Sequence, residues 1–333
     1  MRYLVHIGTN KTGTSSLQRA FFDNREALAA AGIAYPLTGI ETAAHHNVSR
    51  ALKGVSPDRL GMPADWMQQL HAECQDAEIC LLSSENFHTM QDPSRMLALC
   101  PQGQTQIIVY IREHAAHLVS WYQQAVQSRN TAMTLEEFIE HHALSFAEMI
   151  DKWARAYGDE NMIVRLYERS ALKKGDVIAD FCSFLKPEIT KQLTGKAVAA
   201  NPSVAGNLLF TKRLLNCFLD KEESLSVANE VAGLIMLDPS FSGKVPTGQE
   251  TINRIKYLCR ADRAELKERY GLKMKARTTP IEGPACPDLA TLPQDLERIH
   301  DAARTRQFRL AGYLERMLHA IGPVSARLSD SVK

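Results

Sequence analysis

Residues 3–16 read Tyr3-Leu4-Val5-His6-Ile7-Gly8-Thr9-Asn10-Lys11-Thr12-Gly13-Thr14-Ser15-Ser16. The apolar run over 3–8 reads as a short buried strand. A polar, glycine-containing turn follows from Thr9 to Thr14. Ser15 to Ala31 then reads as a helix, with Leu17, Phe21 and Leu28 on one face and Gly32 suited to the C-terminal cap. Strand, turn and helix in that order open an α/β unit.

Further along, Glu78–Ser83, Gln106–Ile111 and Met162–Tyr167 are short apolar runs that read as strands, with helical stretches between them. Thr134 with Glu137, and Ser145 with Glu148, have the spacing of capping boxes. Phe146, Met149, Ile150, Trp153 and Tyr157 form a helical stripe that stops at Gly158, which is the pattern of core packing. Apolar strands separated by helices predict a mainly parallel sheet covered on both faces, a three-layer α/β/α arrangement with a helical C-terminal extension. Strand signals end near residue 187. Residues 203–219, 224–237 and 249–271 read as helices, 276–293 with four prolines as a linker, and Asp295 to Ala320 as a last helix before a frayed end. The domain reading is therefore a core over 1–187, a helical region over 188–275 and a Pro-containing arm with a helix over 276–333.

Composition bounds the function. The chain has 333 residues, 45% hydrophobic and 23% charged, the make-up of an ordinary globular protein. Lys plus Arg number 39 against 38 Asp plus Glu, a net charge of +1, so there is no global basic field for nucleic acid and any anion site is local. No apolar run reaches the ~18 residues that span a bilayer, and the apolar start is too short for a signal-peptide core. The seven cysteines form no C-x-x-C pair. They read as scattered thiols of a cytoplasmic protein, with no structural zinc site and no other metal.

The turn after the first strand has the context of a phosphate site: a strand ends, backbone N–H groups turn inward and a helix N-terminus follows. Asn10 to Ser16 supply the contacts. Lys11 adds a charge, and Thr12, Thr14, Ser15 and Ser16 add hydroxyls. Gly8 and Gly13 have the spacing of the P-loop pattern, but Thr14 stands where the P-loop lysine would be and the lysine sits earlier, at position 11. Such a loop suits a shorter phosphate chain and requires no metal. Arg112 follows the strand Gln106–Ile111, and in parallel sheets ligands bind beyond the carboxyl ends of strands. Ser120 sits two turns into the following helix, and an arginine with a hydroxyl can clamp a second phosphate.

Together these residues carry a resemblance. Lys11-Thr12-Gly13-Thr14-Ser15-Ser16-Leu17 resembles the 5′-phosphosulfate loop of sulfotransferases that use 3′-phosphoadenosine 5′-phosphosulfate (PAPS), and Arg112 with Ser120, followed by Trp121-Tyr122, resembles their 3′-phosphate motif. His6-Ile7-Gly8, Gly32-Ile33-Ala34-Tyr35-Pro36, His45-His46, Leu82-Ser83-Ser84-Glu85 and Tyr110-Ile111-Arg112 are similar to a bacterial sulfotransferase-like branch, over residues 3 to about 186. The resemblance implies a P-loop NTPase-like core, PAPS as co-substrate and Tyr167 near the nucleotide. Three features depart from the cytosolic small-molecule branch. Ser16 replaces its adenine-stacking aromatic, its R-K-G-x-x-G-D-W-K segment is absent, and Asn201-Pro202-Ser203 and Lys212-Arg213 occupy the late region instead.

Sulfuryl transfer needs charge neutralised at the bridging oxygen and a proton taken from the acceptor. Lys11 suits the first role. For the base, Glu85 follows the strand Glu78–Ser83, a place where a glutamate or histidine serves in several sulfotransferase branches; His46, with His45 beside it, competes from a loop. His141-His142 ends a helix and suits its dipole without a further role. The acceptor class, whether small molecule, carbohydrate or lipid, has no code in the sequence, and a homodimer is compatible with it. Two rivals stand beside this reading: a small-molecule kinase with a related phosphate site, disfavoured by the missing lysine after Gly13, and a non-catalytic nucleotide-binding protein.

Overall fold

The structure is a computed structural model that describes residues 1–128, 131–142, 145–193 and 203–330, with side chains to residue 320. Five strands form one sheet: β1 (Arg2–His6), β2 (Ile33–Ala34), β3 (Ile79–Ser83), β4 (Thr105–Ile111) and β5 (Met162–Leu166). All neighbours pair in parallel, in the order β2-β3-β1-β4-β5. The helices are α1 (Thr14–Asp23), α2 (Arg25–Ala30), α3 (His46–Leu52), α4 (Trp66–Cys74), α5 (His114–Ser128), α6 (Leu135–His141), α7 (Phe146–Tyr157), α8 (Val177–Cys182) and α9 (Thr190–Leu193). They continue as α10 (Gly206–Phe218), α11 (Lys221–Ser226), α12 (Ala228–Leu237), α13 (Gln249–Leu258), α14 (Arg260–Tyr270), α15 (Leu292–Thr305) and α16 (Arg309–Asp330). No helix among the described residues is long and apolar enough to cross a membrane.

The chain forms two compact units: Met1–His114, Leu144–Ala200 and Cys259–Ala276, and then Ala115–Ala143, Asn201–Leu258 and Arg277–Lys333. The first holds the sheet. Its central strands β1, β3 and β4 bury both faces, which is why they read as continuous apolar runs, while the edge strand β5 is half-buried. Val5, Leu82, Ile107 and Val109 face one core, shared with α3, α4, α7 and α14 through Val48, Leu70, Trp153 and Leu266. Leu4, Leu81, Ile108 and Tyr110 face the other, with Leu17 and Phe21 of α1, Leu28 of α2 and Phe181 of α8. The three-layer α/β/α architecture follows from this alternation.

Several element ends differ from the sequence reading, each for a local reason. The helix expected over Ser15–Ala31 is two helices. Asn24 takes φ −116° and ψ 28° between them, and its side-chain amide donates to Ala20 O at 2.8 Å, the kind of side-chain competition that interrupts helices. The last helix is also two, α15 and α16. Gln307 adopts φ 55° while its N–H donates to Arg304 O and that of Phe308 to Ala303 O, a Schellman closure built without glycine. Cys259 likewise separates α13 from α14. The box at Thr134 is complete, whereas at Ser145 only the Glu148 N–H to Ser145 Oγ half is present. The last three residues of the expected frayed end, and Asn201 and Pro202 of the late segment, lie outside the described residues.

The second unit is helical. Leu208 and Leu215 of α10, Leu234 of α12, Ile252 of α13, Ile299 of α15 and Leu314 of α16 are buried in it. Its core also holds a cation. Lys212 on α10 is fully buried and donates to Asn216 Oδ1 and Ser224 Oγ, neutral acceptors that also bond each other at 2.7 Å. Burial without a carboxylate pushes the Lys212 ammonium down to about 8. The unfolded chain therefore holds a proton that the native state has released between about pH 8 and the usual lysine value, so stability rises with pH through that window. Replacing Lys212 by Met removes a desolvated charge and leaves the Asn216–Ser224 bond intact. Chemical denaturation at pH 7 should find Lys212→Met more stable than wild type by about 1 kcal/mol or more, with the alkaline rise abolished; unchanged pH dependence would contradict the charge reading.

Candidate functional site

The β1 and β4 connections leave the sheet in opposite directions. From β1 the chain runs through α1 and α2 to β2 at one edge; from β4 it runs to β5 at the other. The carboxyl ends of β1 and β4 thus flank a topological switch point, where open parallel sheets bind ligands. The loop after β1 and Arg112 after β4 both lie there.

The loop is pinned from below. Thr9 Oγ1 donates to Tyr110 O on β4 at 2.8 Å, and Thr12 Oγ1 donates to Thr9 O at 2.7 Å. Thr12 is fully buried, so it serves the loop's own conformation and offers a ligand only its backbone. Lys11 and Gly13 both adopt left-handed backbone, φ 64° and 76°. Single left-handed residues in a turn direct successive N–H groups to one side. Among the described residues the amides from Asn10 to Ser16 donate to no acceptor. Two glycines are required sterically. A Cβ on Gly8 would stand 2.3 Å from Thr14 Cγ2, and one on Gly13 would stand 2.9 Å from the Tyr167 ring. Asn10 and Ser16 are half-buried, Ser15 is exposed, and Thr14 is buried against Gly8.

The cations are the second element. Lys11 is half-buried and held below the usual lysine value, first by desolvation and then by the nearby Arg112. Arg112 is lowered as well, again mainly by burial, with Tyr167 and Glu113 opposing. Neither forms an ion pair among the described residues. Tyr167 follows β5 as Arg112 follows β4. The strands are in register at Ile111 and Leu166, and Tyr167 N–H donates to Ile111 O at 2.7 Å. The tyrosine ring lies against the loop's Gly13 and within electrostatic reach of Arg112. Ser120 is half-buried on α5, in the second unit.

The end of β3 supplies the third element. The 3₁₀ turn Glu85–Phe87 begins directly after Ser84. Glu85 Oε2 accepts from Gln18 Nε2 of α1 at 2.9 Å, and Glu85 Oε1 lies 4.0 Å from His46 Nε2. His46 Nδ1 is 2.8 Å from Ser84 Oγ. The two base candidates thus face each other, with one carboxylate oxygen and one ring nitrogen left toward the gap between them. His45 is differently placed. Its Nδ1 accepts from Ser83 N–H at 3.1 Å and its Nε2 donates to Pro36 O at 2.9 Å, and burial pushes it down to about 4. Both nitrogens are committed to structure, so it has no lone pair for an acceptor and braces His46 beside it.

Two contributors were not singled out from sequence. Gln18 orients Glu85 and is buried; a polar residue beside the Leu17–Phe21 stripe is the signal that could have found it. His88 bonds the Glu85 carbonyl through Nδ1 and also the carbonyl of Gly8, tying the β3 turn to the loop after β1. Its only trace in sequence is a histidine three residues after Glu85. Below them His6 is fully buried, 2.8 Å from Ser83 Oγ through Nδ1, and burial pushes it down to about 3. It is a neutral floor for the site.

Comparison with known proteins gives little more. No family model matches the chain. An uncharacterized protein of Archaeoglobus fulgidus is 25% identical over 171 residues, 51% of this chain and 47% of that protein. The chain thus spans about half the length of the curated relative it matches.

The glycine geometry is testable by a double-mutant cycle. Gly13→Ala should cost about 1–2 kcal/mol in urea denaturation from left-handed strain, plus the clash with Tyr167. In a Tyr167→Ala background only the strain remains, so the two changes should couple; strict additivity would show that the ring does not rest on the loop.

Proposed function

We propose that the protein is a PAPS-dependent sulfotransferase. The observation that carries this reading is the pair Lys11 and Arg112: two half-buried cations without a carboxylate partner, flanking a switch point beside a run of unpaired amides. Such an arrangement is favourable only when an anion is bound. A nucleotide with separate 5′ and 3′ anions matches two separate cations.

In this reading Asn10, Lys11, Gly13, Thr14, Ser15 and Ser16 hold the 5′-phosphosulfate, with Thr12 contributing its amide. Arg112 and Ser120 take the 3′-phosphate, and Tyr167 lies beside the nucleotide. The co-substrate supplies the sulfuryl group. In-line transfer breaks the bond between sulfur and the bridging oxygen and makes one from sulfur to an acceptor oxygen or nitrogen. Lys11 neutralises the charge left on the bridging oxygen. The acceptor proton passes to Glu85, held by Gln18, or to His46, held by Ser84. The same reading places the protein in the cytoplasm, acting on a hydroxyl or amine of a small molecule, carbohydrate or lipid.

Calorimetric titration with 3′-phosphoadenosine 5′-phosphate, ADP and Mg-ATP tests the cofactor. Tight binding of the 3′-phosphorylated nucleotide is expected, weakened roughly 10- to 100-fold in Arg112→Ala. Better binding of Mg-ATP would replace this reading with a kinase, and no binding of any nucleotide would sink both. With turnover in hand, loss of the true base should cost about 10²–10⁴ in kcat. Glu85→Gln and His46→Ala decide between the candidates, and unaltered turnover in both would dismiss them.

A further inference from the structure

A second charged feature lies in the first unit, formed by α14 and the chain that follows it. A cavity of about 500 Å³ is lined by Arg260, Arg263, Lys267, Lys273 and Lys275, over a floor that includes Leu272 and Met274. Two periodicities build it. On α14 the positions 260, 263 and 267 fall on one helical face and span about 10 Å at 1.5 Å per residue. After Gly271 the chain is extended, and burial alternates: Leu272 and Met274 turn toward the core, while Lys273 and Lys275 are exposed. A helical row and an extended row of cations therefore face one groove.

The charges in it are not balanced locally. No carboxylate lines the groove. Of the acidic residues of α14, Asp262 is buried against His114 Nε2 at 2.6 Å, Glu265 pairs with Arg269, and the exposed Glu268, next to Lys267, does not line the groove. Arg260 and Arg263 have partners of their own, so the inference rests on Lys267, Lys273 and Lys275, which form no ion pair among the described residues. In a chain of net charge +1, this is a local concentration of positive charge.

We infer that this groove docks an extended acidic segment of a partner polypeptide. Two features favour a polypeptide over other polyanions. The backbone groups of Lys273, Met274, Lys275 and Ala276 make no hydrogen bond among the described residues, so the extended row presents free main-chain donors and acceptors of the kind strand addition uses. The lining holds no aromatic ring on which nucleic-acid bases would stack. The interaction is independent of the nucleotide reading, since it uses none of the residues at the switch point.

The test is fluorescence anisotropy of the full chain with a short labelled oligoglutamate, its backbone-N-methylated analogue and a labelled oligouridylate. The oligoglutamate should bind saturably and more weakly as salt is raised. The combined change Lys267→Glu, Lys273→Glu and Lys275→Glu should weaken binding at least about tenfold, with an unchanged circular dichroism spectrum. Lys221→Glu, an exposed charge of the second unit, should leave it as it is. N-methylation should weaken binding if main-chain pairing operates. Equal affinity for the triple variant, equal affinity for the methylated peptide, or tighter capture of the oligouridylate would each overturn the proposal.

Discussion

The site depends on one unbalanced electrostatic arrangement: Lys11 and Arg112 are drawn partly out of water near each other with no carboxylate between them. Desolvation and mutual repulsion both oppose this. The repulsion has to be resisted by bonds that do not themselves neutralise charge. Thr9 to Tyr110 O and Thr12 to Thr9 O do so from inside the loop. The sheet register does so from beneath, because β1 and β4 are locked by parallel pairing up to His6 and Ile108. The fold leaves neither cation in an ion pair among the described residues, and the left-handed turn at Lys11 and Gly13 adds amide dipoles of the same sign.

The same constraint organises the turn after β3. Glu85 is the carboxylate that could have compensated the loop, yet its Oε2 is held by Gln18, and His88 ties its backbone to Gly8. The acid is kept beside the loop's helix while remaining unpaired with Lys11. Facing it, His46 is positioned by Ser84 and by the buried His45, whose two nitrogens clamp Ser83 and Pro36. Adjacent histidines divide the work: one is fixed in the core and the other is presented at the surface of the gap.

Much of this was legible in the residues. Parallel strands buried on both faces leave a run without alternation, so β1, β3 and β4 were visible as apolar runs, and the shared parallel sense of β1 and β4 put Lys11 and Arg112 at one edge of the sheet. Boundaries were less legible where a residue of unremarkable propensity did a turn's work. Gln307 closes α15 in the conformation glycine usually marks, and Asn24 ends α1 by reaching back to Ala20. The site was legible where chemistry lies in charged or glycine residues, and not where it lies in pairing. Nothing local distinguishes His45 from His46, since the difference is which one meets Ser83 across 38 positions. Gln18 meets Glu85 across 67 positions, and His88 reaches back to the carbonyl of Gly8.

The unpaired amides from Asn10 to Ser16 have a spectroscopic corollary. Buried backbone N–H groups elsewhere in the sheet are protected from exchange with deuterium by the ladder that holds them, and local opening sets their rate. The loop amides sit just above that ladder without acceptors of their own. Under the proposed function an anion in the turn would supply the missing acceptors, so these amides would exchange more slowly on occupation. The loop is in this sense its own reporter, readable without knowledge of the acceptor or of turnover.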